Sequence, residues 1–260
     1  MKTCLSAVCF AALAVSACAS ESAPATPTRF GSDELWRWNV NDPKRPMPPR
    51  AEPKPEAELA ASAKAPEGAV VLFDGKDLAK WTPARWKLEN GYVEVVPKTG
   101  DLVTLDEFGS CRLHLEWWTP ATPPLKSGQN RGNSGVLLMG RYEMQVLDSI
   151  DNPTYADGIA GSVYGEYPPL ANACRAPGHW QYYDIEFHRP VFAGGHVVKP
   201  ARITARLNGI LVQDNVELAG PTSYAKRKPY VAHADKLPLR LQNHSEVVRY
   251  RNVWIVPLAD

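Results

Sequence analysis

Apolar and polar positions alternate along most of this chain with a period of two, the spacing that sends successive side chains to opposite faces of a β-strand. The pattern is clearest in residues 131–149, RGNSGVLLMGRYEMQVLDS. There Val136, Leu137, Leu138 and Met139 predict a strand buried on both faces, Gly140 and Arg141 a tight turn, and residues 142–147 a returning strand. On the return, Met144 and Val146 share the face that a core requires, so Glu143 and Gln145 share the other, and Asp148 closes the strand. Further strands are expected at residues 69–73, 86–88, 92–96, 102–105, 111–117, 181–187, 201–207, 210–213, 237–242 and 247–256, separated by Gly, Pro, Asn and Asp. Helical periodicity is nearly absent. So many short strands predict an all-β domain, a two-sheet sandwich of jelly-roll type, over residues 67–260.

Three stretches depart from the alternation. Residues 1–17 carry Lys2 and then an apolar run from Cys4 to Val15, the pattern of a secretory signal, and the run is shorter than the roughly 20 residues that a membrane-spanning helix needs. Its end, Val15-Ser16-Ala17-Cys18, resembles a bacterial lipobox, which makes Cys18 the lipidated first residue of the mature chain; Ala19 then favours the outer membrane. An ordinary signal-peptidase site near the same alanines is the alternative. Residues 18–66 are rich in Ala, Pro, Glu and Lys, as a tether would be, but ELWRWNV and the proline ladder DPKRPMPPR within them predict an extended arm packed on the domain. Residues 152–180 form a long loop containing Tyr155, Tyr164 and Tyr167, and a loop of that length inside a compact domain usually carries function, here as the wall of a pocket.

Composition removes several classes of function. A net charge of +1, with no Lys/Arg stripe among aromatics, gives no case for nucleic acid. There is no zinc-type Cys/His spacing, no Gly-rich phosphate loop and no Gly-x-Ser-x-Gly elbow, and Gly132-Asn133-Ser134-Gly135 reads as turn chemistry. Export leaves Cys111 and Cys174 as the two thiols of the domain in an oxidising compartment, where they either pair or stay free. What remains is a scatter of polar residues in strand-like segments, among them Glu143, Gln145, Glu186, Gln213, Gln242, His244, Arg249 and Arg251. If their faces belong to one concave sheet, they form a basin suited to a polyhydroxylated ligand. His244 is the candidate for proton transfer, since an imidazole both takes and gives a proton near neutral pH. A divalent metal ion is compatible with His233 together with Asp235 or Glu143.

Several segments together carry a family resemblance: VLFDGKDLAKW, RGNSGVLLMGRYEMQVLDS, YADGIAGSVYGEYPPLANACRAPGHWQYYDIEFH, NGILVQDNVELAGPT and LPLRLQNHSEVVRYRNVWIVPL. Over residues 70–258 the chain resembles the 3-keto-disaccharide hydrolase domain family. The resemblance implies a concanavalin-like jelly roll, export, and cleavage of glycosides whose sugar a partner sugar 3-oxidoreductase has already oxidised at C3. On that plan His244 is the base, Glu143 lies beside it, and Arg251 stabilises the enolate oxygen. Asn133, Arg141, Gln145, Asp148, Tyr164, Trp180, Glu186, Gln213 and Gln242 are expected to bind the substrate. Two departures stand out: Leu207 occupies a position where the family usually has histidine, and Gln242-Asn243-His244-Ser245 replaces the usual Gln-Asp-His-Gly.

Overall fold

A computed structural model describes residues 1, 29–121 and 126–259. Cys18 and all but the first residue of the expected signal peptide lie outside the described residues. Two short helices, α1 (Asp33–Arg37) and α2 (Glu56–Leu59), precede the strands. These are β1 (Val70–Phe73), β2 (Lys87–Glu89), β3 (Tyr92–Glu94), β4 (Leu102–Phe108), β5 (Cys111–Trp118), β6 (Ser134–Leu138) and β7 (Tyr142–Val146). They continue with β8 (Trp180–His188), β9 (Val191–Ala193), β10 (His196–Lys199), β11 (Arg202–Leu207), β12 (Ile210–Glu217), β13 (Leu237–Leu241) and β14 (Arg249–Pro257). The β9–β10 ribbon is absent from the expected strands, because VFAGGHVVK is short and mostly exposed and so shows little alternation.

The strands form an antiparallel jelly-roll sandwich. The larger sheet runs β12-β11-β8-β5-β14-β3-β2, with β1 also paired to β14, and the smaller runs β4-β13-β6-β7. Between them lies one core, to which the larger sheet contributes Leu113, Leu115, Trp117, Tyr183, Ile185, Phe187 and Tyr250, and the smaller Leu102, Val136, Leu138, Met144, Val146, Leu239 and Leu241. Register shifts interrupt the period of two in several pairings, including those of β1, β13 and, most clearly, β14. There a bulge between Arg251 and Trp254, with Asn252 at φ 48°, lets both Val253 and Ile255 reach the core while Arg251 and Trp254 face outward.

In the β6–β7 hairpin Leu138 pairs with Tyr142, so the connection is Met139-Gly140-Arg141. Met139 (φ 53°) and Gly140 (φ 63°) are the left-handed residues, which moves the turn one position back from the expected Gly140-Arg141. Gly140 takes this conformation without strain, and Met139 follows it because the Arg141 N–H closes the turn on the Leu138 carbonyl at 3.0 Å.

The segment before β1 lies against the sandwich. Ser32 caps α1 by accepting from Leu35 N at 3.2 Å, Asp33 and Glu34 occupy its first turn, and Leu35 is fully buried. Further on, Ala51 N donates to Asn172 O and Lys54 N to Asn208 O, and Leu59 and Ala63 pack on Tyr182 and Trp180 of the larger sheet's outer face.

Cys111 and Cys174 are both free and buried, which settles the open pairing. Cys111 pairs with Phe187 in the sheet, whereas Arg175 N donates to the side chain of Gln181, so the two thiols sit beside opposite ends of β8. Six residues of strand span roughly 20 Å, far beyond bridging distance. Burial pushes both thiols up to about 12. A reductant is therefore expected to leave the melting temperature unchanged. A drop of several degrees in a thermal melt would reveal a disulfide, whose loss typically costs about 2–5 kcal/mol.

Candidate active site

The outer face of the smaller sheet carries a cleft of about 520 Å³. Its floor is made by the side chains that alternation turns away from the core: Arg240 on β13, Leu137 on β6, and Glu143 and Gln145 on β7. Gln242 and His244 extend the floor past the end of β13, Gln129 and Asn133 close one end, and Tyr155, Tyr164 and residues 222–224 form the walls. The free edge of β7 is covered by loop rather than by strand. Gln145 N donates to Ser162 O at 3.0 Å, Tyr164 N to Glu143 O at 3.1 Å, and Glu143 N to the Thr222 hydroxyl at 2.9 Å. The same bonds that satisfy the sheet edge thus hold both walls.

Glu143 is 6 % exposed, and its carboxyl lies over Gly135, diagonal to it in the hairpin, where an added Cβ would come within 2.2 Å of the carboxyl oxygen. Only glycine at 135 leaves room for the carboxyl to lie flat on the floor. Among the described residues no side chain or N–H hydrogen-bonds that carboxyl. Burial raises its pKa to about 8, Asp101 adding to the effect and Arg240 opposing it, so Glu143 is a neutral acid at pH 7.

Gln145 is oriented unambiguously. Its amide nitrogen donates to Gln129 Oε1 at 2.9 Å and to the Gly158 carbonyl at 3.1 Å, which leaves its Oε1 buried and without a partner. Arg240 has one nitrogen 3.5 Å from Asp101, and its Nε is likewise buried and unpartnered. The floor therefore includes a buried acceptor and a buried guanidinium nitrogen without partners, beside a neutral carboxyl. His244 stands exposed at the rim on a turn held by Asn243, whose N donates to Asp101 at 2.7 Å and whose amide donates to Val96 O at 2.8 Å. An aspartate at 243 would lack that second donor.

Of the residues expected at the site, Asn133, Glu143, Gln145, Tyr164, Gln242 and His244 meet in the cleft. The others do not. Arg251, Trp180 and Glu186 belong to the opposite outer face, on the larger sheet. Arg251 pairs with Glu116 at 2.5 Å and stacks 4.0 Å above the Trp180 ring, and Glu186 pairs with Arg112 at 3.0 Å. Period two had correctly put Arg249 and Arg251 on one face, but that face looks away from β7. Asp148 is buried against Arg131 at 2.6 Å, and Arg141 is exposed on the hairpin turn. Gln213 donates to Gly161, Tyr167 and Pro168 carbonyls and so pins the long loop from behind. The metal donor set also separates: His233 bonds the Tyr142 hydroxyl at 2.8 Å, Asp235 pairs with Arg189 at 2.7 Å, and Glu143 faces the other side of β7. Among the described residues no group of three or more His, Cys, Asp or Glu side chains could hold a metal ion.

Arg240 and residues 222–224 are cleft residues that the sequence reading missed. Arg240 had a signal, the alternation of LPLRL that turns it away from Leu239 and Leu241; the loop carrying Thr222, Ser223 and Tyr224 had none. Leu207, at the departure noted in the sequence, is fully buried in the core and lies outside the cleft.

Residues 68–256 match the model of the 3-keto-alpha-glucoside-1,2-lyase-like domain. The chain belongs to that family. A "putative glycosyl hydrolase" from Parabacteroides distasonis ATCC 8503 is 38 % identical, with a TM-score of 0.72 over 82 % of this chain and 93 % of that one. A second crystal structure from the same organism, at 20 % identity and a TM-score of 0.53, covers 74 % of this chain and 95 % of its own and shares the fold. Among curated proteins none matches the chain. The lyase-like domain stops short of residues 29–67 at its N-terminal side, which nonetheless touch the cleft wall through Asn41 and Tyr164 at 3.3 Å.

The Glu143 carboxyl makes stability depend on pH. Its pKa in the folded chain, about 8, lies above the ordinary value of 4.5, so its contribution is full below about pH 4.5 and is lost as pH rises through 8. The variant Glu143→Gln removes that loss. Its melting temperature relative to the parent is expected to rise between pH 5 and pH 9, and a difference that stays flat across that range in paired thermal melts would place the carboxyl in solvent.

Proposed function

We propose that this chain is an exported enzyme that cleaves 3-keto-glycosides by elimination. A base takes the C2 proton, made acidic by the C3 ketone, and the electron pair passes into the enolate. The enolate then expels the glycosidic oxygen from C1, an acid protonates that oxygen as it leaves, and water adding across the C1–C2 double bond makes the net reaction hydrolysis. One observation carries the reading: among the described residues Glu143 is the single carboxyl lining the cleft. An ordinary glycosidase flanks the scissile bond with two carboxyl groups, whereas elimination needs one base, one acid and a stabilised enolate.

The cleft residues divide among those tasks. His244 at the rim is the base. Glu143, neutral near pH 7, is the acid for the leaving oxygen. Arg240, with its unpartnered Nε, takes the enolate role that the sequence had suggested for Arg251. Tyr224, 80 % exposed at the wall, offers its ring to a sugar face. On the same reading the leader and Cys18 deliver the chain to the cell envelope as an outer-membrane lipoprotein, and a sugar 3-oxidoreductase supplies the ketone.

The purified protein is expected to turn over the 3-keto form of a disaccharide and leave the unoxidised form intact, with deuterium at C2 of the product when the reaction runs in D₂O. Turnover of the unoxidised sugar, or binding of both forms without cleavage as a lectin-like module would show, overturns the proposal. His244→Ala should lose about 10²–10⁴-fold in turnover, the usual cost of removing a general base. In the parent, kcat/KM should fall as pH rises above about 8, when Glu143 loses its proton.

A further inference from the structure

The arm upstream of the matched domain reaches the back of the cleft. Asn41, at φ 59°, donates from its backbone N to Asp157 at 3.1 Å and from its side-chain amide to the Tyr164 hydroxyl at 3.3 Å. Its neighbours lock it there. Arg45 donates to Glu166 O at 2.8 Å and lies 3.7 Å from Asp157, and Arg227, from the loop that carries Tyr224, donates to Trp38 O at 2.8 Å and stacks on Trp36. The Tyr164 and Tyr155 hydroxyls are 2.8 Å apart, and both rings line the cleft.

Counting protons gives this contact a consequence. Two phenols have two protons, and one of them fills the hydrogen bond between the two oxygens. With the Asn41 amide nitrogen as the donor there, its Oδ1 buried without a partner on the other side, the second proton is left for the cleft. Burial raises both tyrosines above their ordinary range, so both keep their protons at neutral pH.

We propose that Asn41 is a positioning residue of the cleft: by donating to Tyr164 it orders the Tyr155–Tyr164 pair so that one hydroxyl proton faces the bound sugar and hydrogen-bonds an oxygen on it. The substrate in this statement rests on the 3-keto-glycoside reading above; the ordering of the pair does not. A segment outside the matched domain thereby becomes part of the active site.

The test uses the full chain. Asn41→Ala is expected to lower kcat on a 3-keto disaccharide about 10-fold, the worth of one ordered hydrogen bond, with KM held within about twofold. Asn41→Asp, an isostere that only accepts when ionised, should lower kcat further by drawing the spare proton away from the cleft. In a Tyr164→Phe background Asn41→Ala should cost nothing more. Native kcat in Asn41→Asp, or the same loss from Asn41→Ala with and without the Tyr164 hydroxyl, overturns the proposal. If the parent cleaves no 3-keto substrate, the proposed function falls and the pair is read directly by NMR of ¹³Cζ-labelled tyrosine. Movement of the Tyr155 and Tyr164 signals in Asn41→Ala supports the ordering, and unmoved signals refute it.

Discussion

Two tyrosine hydroxyls cross the core from the larger sheet to the smaller one, and the shape of the cleft depends on them. Tyr183 donates to Gln145 O at 2.5 Å and accepts from Gly161 N at 2.6 Å. Tyr250 shares a 2.6 Å hydrogen bond with Ser134, which in turn donates to Gln242 O at 2.6 Å. Two of these bonds end on the backbone carbonyls of Gln145 and Gln242, whose side chains line the cleft. A buried polar group left without its partner costs about 1–3 kcal/mol, so sliding one sheet over the other is resisted at these two points as well as by apolar packing. Gln145 and Gln242 are thus held from behind before any ligand arrives.

That rigid backing lets the Glu143 carboxyl stay buried with no hydrogen-bond partner among the described residues. A carboxyl in such a place either ionises at a cost or keeps its proton, and with only Arg240 to favour the charge it keeps it. Gly135 supplies the space, the loop at residues 159–165 bonds along the edge of β7, and Thr222 ties the second wall to the backbone of Glu143 itself. The carboxyl and the bare atoms of Gln145 and Arg240 are consequences of one arrangement rather than separate features.

The opposite face shows the same residue types doing structural work. On the larger sheet Arg251 is paired with Glu116, stacked on Trp180 and flanked by Asn252, which donates to Glu116 and to Ala63 O. Its Nε is engaged by Glu116, and Asn252 beside it holds the segment around Ala63. Arg240 has a free Nε beside a cavity. The two arginine side chains are equally exposed, so partnering, more than exposure or residue type, separates the two faces.

Most strand positions, the sandwich class and the shared face of Glu143 and Gln145 were legible in the sequence, because period-two alternation is a local consequence of backbone geometry and needs no knowledge of the partner strand. So was the long aromatic loop, whose length and composition mark it as functional. Alternation says that two residues share a face but not which of the two outer faces of a sandwich it is, and Arg251, Trp180 and Glu186 fell on the far one for that reason. The β6–β7 turn shifted by a residue because a hydrogen bond, rather than a preferred dipeptide, closed it. The loop at residues 222–224 and the reach of Asn41 to Tyr164 come from contacts between segments more than one hundred residues apart in some cases, as with Asn41 and Tyr164 at a separation of 123. Such contacts are decided by how the two sheets stack and how the arm lies across them, and no local pattern in the chain encodes them.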